Sequence, residues 1–164
     1  MRFGMVVIIT MAMAGCDDGH QHNGHDHSDN KKEEHVHTAP HDGVLVEIGD
    51  HYANVELVFD EDTGTLTLYA LGSHAEQPAR LAQESVDLSV RVGDGEPFEL
   101  SLAAQESPIS GEKVGDTSKF QGNSDQLKGV HSFHITVKTI TIKGQKFDDV
   151  KHAFTADHHH EAHK

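Results

Sequence analysis

From Val44 to Phe154 apolar and polar residues follow a period of two. Val44, Val46 and Ile48 alternate with Leu45 and Glu47, and Val55, Leu57 and Phe59 alternate with Glu56 and Val58. Asp60 to Gly64 reads as a turn, after which Leu66, Leu68 and Ala70 alternate with Thr65, Thr67 and Tyr69. Val86, Leu88, Val90 and Val92 form the next series, and Gly93-Asp94-Gly95 turns the chain into Phe98, Leu100 and Leu102. His131, Phe133, Ile135 and Val137 predict another strand. Ile140 and Ile142 then change parity, which predicts a bulge near Lys138-Thr139. Lys143-Gly144 is a turn, and Phe147 to Phe154 predicts a last strand. Glu106 to Leu127 reads as loop-rich, and Ala75 to Gln83 is open to a short helical turn that Pro78 limits. Short alternating strands between turn residues predict an all-β fold, an antiparallel β-sandwich (Ig-like) of about seven or eight strands. Each apolar face needs a covering layer.

The two ends do not follow this pattern. Residues 1–15 carry one positive charge, Arg2, then an apolar run from Phe3 to Ala14. The run is shorter than the about 20 residues a spanning helix needs, and it reads as a secretory signal peptide. Met13-Ala14-Gly15-Cys16 resembles the lipobox of bacterial lipoproteins, with Met13 where leucine is usual. That resemblance implies cleavage before Cys16, lipidation of its thiol and a membrane anchor. Several acyl chains, at about 0.8 kcal/mol per buried CH₂, hold a protein stably on a bilayer. Residues 16–41 are polar and His-rich, and predict a disordered tether. The β domain is expected over 42–155 and a second His-rich tail over 156–164.

Charge narrows the partners. The 164-residue chain has a formal charge of −14. This speaks against nucleic acid and against an anionic membrane surface as electrostatic partners, and favours cations. With no Trp and a single cysteine, the core must be largely aliphatic and no internal disulfide forms.

Histidine is the outlier. Of 16 histidines, His20, His22, His25, His27, His35, His37 and His41 lie in the first polar segment, and His158, His159, His160 and His163 in the last. His20-x-His22, His25-x-His27 and His35-x-His37 are HxH pairs, whose side chains project to one side of an extended chain. Neutral imidazole suits zinc, copper and nickel, bound to zinc at about 2.0–2.1 Å. A flexible chain closes two pairs on one ion at a cost that grows slowly with loop length. These eleven histidines are the expected ligands for Zn²⁺, Cu²⁺ or Ni²⁺. His41 adjoins the first strand and is open to either tether or domain. His51 and His74 flank strands in loops. His131 and His134, three apart on a strand, face opposite sides and make poor co-ligands. His160-Glu161-Ala162-His163 is one residue short of HExxH and no helix is expected there, so a zinc-protease reading is set aside.

Pro40-His41-Asp42-Gly43, the stretch from His51 to Leu71, and TSKFQGNSDQL from Thr117 to Leu127 together resemble a group of small exported His-rich bacterial proteins. Similar His-leading segments accompany some heavy-metal efflux adaptors, so the resemblance implies metal handling. The sequence departs from that pattern at Asp42, in place of a glycine, and at Ala53 or Asn54, in place of a strand histidine.

No phosphate loop, GxSxG elbow or CxxC pair occurs, so no catalytic residue is assigned and no enzyme is expected. The resulting expectation is a cell-envelope lipoprotein, facing the periplasm or exterior, that binds transition metals through its His-rich ends. Its candidate partners are metal ions, the membrane through its anchor, and a metal transporter or efflux component. The competing expectation is a β-sandwich interaction module of the envelope with incidental or pH-responsive His-rich tails.

Overall fold

The computed structural model describes residues 37–155. The expectations for the signal, for Cys16, for the histidines at 20, 22, 25, 27 and 35, and for those at 158, 159, 160 and 163 lie outside the described residues.

Among the described residues eight strands form in chain order: β1 (Val44–Ile48), β2 (Ala53–Asp60), β3 (Thr65–Leu71), β4 (Ser85–Arg91), β5 (Phe98–Ala104), β6 (Lys119–Asn123), β7 (Ser132–Ile142) and β8 (Gln145–Thr155). A 3₁₀ turn, Asp125–Leu127, separates β6 from β7, capped by the Ser124 side chain accepting from the Gln126 amide. Every pairing of these strands is antiparallel, and one hydrogen-bonded sheet runs in the order β1-β2-β3-β6-β5-β4-β7-β8. The all-β antiparallel expectation holds.

The period of two places the core. Val46, Ile48, Val55, Leu57, Leu66, Leu68, Val86, Leu88, Leu102, Ile135 and Val137 point inward and join one buried cluster. The sheet curls enough for its ends to meet that core together. Phe59 of β2 lies 5.0 Å from Phe133 of β7 and 5.6 Å from Phe154 of β8, ring centre to ring centre. At the other end of β1 and β8, Tyr52 lies 5.4 Å from Phe147 and donates to the Lys143 carbonyl at 3.3 Å.

β6 forms within the stretch that the sequence predicts as loop. It links the β1–β2–β3 meander to the other four strands: its Lys119 to Asn123 pair with Tyr69 to Thr65 of β3, while only Phe120 and Gln121 pair across to Ala104 and Ala103 of β5. Its Gly122 permits the close approach, since a Cβ there would meet the Ser101 carbonyl at 2.6 Å.

Residues 75–83 form turns and isolated bridges (Leu71 with Pro78, Leu81 with Thr117) in place of a helical turn. Their amides bond elsewhere instead, Ala79 donating to the Ala70 carbonyl of β3 and Leu81 to the Thr117 carbonyl just before β6, both at 2.8 Å. In β7 the parity change occurs where expected, Val137 and Ile140 both being buried. It is not a one-residue bulge. Val137 faces Val150 and Thr139 faces Asp148, so each strand contributes one residue, Lys138 and Asp149, between those pairs. Asp149 takes up the distortion with a left-handed φ of 53°. The Gln83 side chain meets the shifted segment of β7, accepting from the Thr141 amide at 2.7 Å and donating to the Thr139 carbonyl at 3.4 Å.

Candidate functional site

On β2, Val55 and Leu57 face the core, which turns Asn54 and Glu56 to the opposite face. Both are nonetheless buried, 5% and 0% exposed. Two chain segments cover them. The approach to β1, residues 40–43, lies over Glu56, and the loop after β3 lies over Asn54.

Glu56 is surrounded by donors. Its Oε1 accepts from the backbone amides of His41 at 2.7 Å and Gly43 at 2.9 Å, and its Oε2 lies 2.7 Å from His41 Nδ1. A buried carboxyl group needs such partners, because desolvation without them carries a large free-energy penalty. Gly43 is required for the fit: a Cβ there would meet the Leu57 carbonyl at 2.6 Å and Glu56 Cγ at 2.8 Å. The register sets Glu56 opposite Tyr69, and Tyr69 opposite Lys119. His41 stacks on the Tyr69 ring at 3.7 Å with planes 7° apart, and Lys119 Nζ lies 5.5 Å from the same ring. His41, the last residue of the expected tether, is therefore held by the folded domain. Its Nδ1 is engaged and its Nε2 is the atom left to meet a ligand. A carboxylate on one ring nitrogen is the arrangement that orients metal-ligating histidines.

Beside this row opens a cleft of about 530 Å³, lined in part by His41, Tyr69, Glu76, Arg80, Glu112 and Lys119. Arg80 fixes its far wall, donating to Asp116 Oδ2 at 3.1 Å and to the Ser110 carbonyl. Partial burial pushes the Glu112 carboxyl up, but hydrogen bonds from the Ser118 and Ser110 hydroxyls and the Ser118 amide, with the Arg80 charge, leave it below its ordinary value.

The other expected ligand within the described residues is His37. Its imidazole meets that of His74, ring centres 5.8 Å apart and planes at 70°. His74 rides on a loop fixed by Asn54, whose side-chain amide donates to the carbonyls of Gly72 at 3.2 Å and Ser73 at 3.0 Å.

The remaining described histidines have separate surroundings. His51 Nδ1 lies 3.1 Å from Glu47, and His131 Nδ1 lies 2.9 Å from Glu61. His134 is exposed on β7. Burial on β8 lowers His152 below the ordinary histidine pKa. Both line a second cleft, about 410 Å³, with Arg91 and Lys151. In the β1–β2 turn, Glu47, Asp50 and His51 bring one ligand atom each within 4.8 Å of one another, all exposed. Sequence spacing does not single out this trio.

Sequence reasoning also does not foresee Glu56 and Tyr69 as partners of His41. The strand pattern marks them only as positions on the outward face. One signal is present: His41 and Glu56 lie in two of the three stretches on which the expected resemblance rests.

Comparison of the chain with protein-family models, with curated proteins and with solved structures gave no match. The fold and the site define the chain as an antiparallel β module with imidazole-rich polar contacts where the chain enters it.

Proposed function

We propose that this chain is a lipid-anchored cell-envelope protein that collects Zn²⁺, Cu²⁺ or Ni²⁺ on its His-rich ends, for buffering or for hand-over to a transporter or efflux component. The observation that carries this reading is the placement of histidine: eleven of the 16 lie within the two terminal segments, six of them as the three HxH pairs of the first segment. The lipobox-like Met13-Ala14-Gly15-Cys16 supports the anchor. The contacts of His37 and His41 support the reading from the domain side, because these two histidines of the set touch folded surface. A ligand set carried by a flexible chain loses ordering entropy on binding, which favours modest affinity and broad selectivity. A second reading, an envelope interaction module, draws on the cleft beside His41.

Metal titration tests the proposal. The mature protein is expected to bind several Zn²⁺ or Cu²⁺ ions, and deletion of residues 17–37 to remove most of them. Unchanged stoichiometry and affinity after the deletion would refute the tether role. Binding is expected to weaken below about pH 6, where imidazole protonates and ceases to ligate. Cys16→Ser is expected to release the protein from the membrane fraction or to block its processing. If it does neither, the anchor is wrong.

A further inference from the structure

We infer that His37 and His74 together form a metal site where the described chain enters the β domain, with His74 as the ligand mounted on the fixed loop. The inference rests on the metal-collecting reading, because His37 belongs to the N-terminal histidine set.

Three observations converge on the pair. The first is distance. Two imidazoles bound to one tetrahedral ion through zinc–nitrogen bonds of the usual length hold their ring centres about 5 Å apart. The observed 5.8 Å is within a small side-chain rotation of that spacing. The rings are inclined at 70° and not stacked face to face.

The second is the mounting of His74. The two carbonyls before it are held by Asn54, itself buried on β2. The residue after it, Ala75, is fully buried and takes a left-handed φ of 57°, its amide donating to the Gly72 carbonyl at 3.0 Å. A further bond from the Gly72 amide to the Gln77 carbonyl at 2.8 Å closes the loop. His74 itself is exposed. The backbone on both sides of an accessible imidazole is thus immobilised, which lowers the ordering cost of ligation at that residue.

The third is the sequence around His37. It is the second member of the sequence pair His35-x-His37. Four residues later His41 ties the chain to Glu56, so His37 has little freedom to leave the neighbourhood of His74. Such a site has higher affinity than the tether pairs, because two of its ligands are already close. It would be the point where collected ions settle against the domain.

Zn²⁺ titration of the full chain, followed by imidazole nitrogen NMR and by calorimetry, tests this. The first equivalent is expected to move the His37 and His74 ring signals together. His74→Ala and, independently, His74→Gln are expected to raise the Kd of the tightest site at least about tenfold. His131→Ala, which touches Glu61 away from this pair, is expected to leave that Kd unchanged. Melting temperatures of the two His74 variants equal to the parent establish that the loop stays folded. If zinc uptake persists and the tightest Kd is the same in both His74 variants, this inference is overturned and the tether reading stands. A chain that takes up no zinc at all overturns both.

Discussion

His41 and Glu56, fifteen residues apart in sequence, meet ring nitrogen to carboxyl oxygen at 2.7 Å across the β1–β2 hairpin. The contact fixes where the polar leader ends and the folded domain begins. The His41 side chain is 42% exposed and the Glu56 side chain is fully buried, so the two ends of the contact differ in what their loss would do.

Glu56→Leu is expected to destabilise the domain by about 1–3 kcal/mol, because it strands the amides of His41 and Gly43. His41→Ala leaves both amides bonded to Glu56 and removes the ring contact and the Tyr69 stack. Its expected cost is smaller, about 0.5–1.5 kcal/mol. Urea unfolding of the two variants checks the order. Equal losses would show that the ring, and not the amides, dominates.

Gln83 bonds the part of β7 that has shifted parity, with partners at Thr141 and Thr139. Gln83→Leu is expected to lower stability by about 1–3 kcal/mol, since the Thr141 amide loses its acceptor in a partly buried setting. Amide exchange at Thr141 should rise in the variant. Unchanged protection there would mean another acceptor takes over.

Most strands are legible in the amino-acid sequence alone, because alternation is a strong signal when each series has three or four apolar members. β6 is not legible. KFQGN offers one large apolar residue, Phe120, and a glycine, so it shows no period at all. Its strand character comes from the open edges of β3 and β5, which no local window contains. The parity change in β7 is visible as Ile140 and Ile142, but its form is not, since that depends on Asp149 across the ladder. The candidate ligands are legible as composition. The pairing of His41 with Glu56 and of His37 with His74 is not, because register and loop anchoring set those contacts.

Burial holds the His152 imidazole below the ordinary histidine pKa, so the unfolded chain takes up that proton first as pH falls through about 6.5. Stability contributed by the neutral ring is therefore full above that pH and declines as pH falls from there toward the lowered folded-state value. His152→Gln is expected to flatten this part of the stability curve. Thermal melts of both proteins between about pH 7.5 and 5 give the comparison. An identical slope would mean that His152 does not contribute to it.

The order β3-β6-β5 has a kinetic consequence. Hairpins β2–β3, β4–β5 and β7–β8 each close short loops and can form early. β6 instead must find β3 across more than a third of the described chain, with a two-pair ladder to β5 as its other hold. Entropy places such a strand late on the folding route. Until it docks, the meander and the remaining strands are two half-sheets with open, mutually complementary edges. Another copy of the chain can offer the same edge, so the interval before β6 docks is when this protein is most exposed to misassembly.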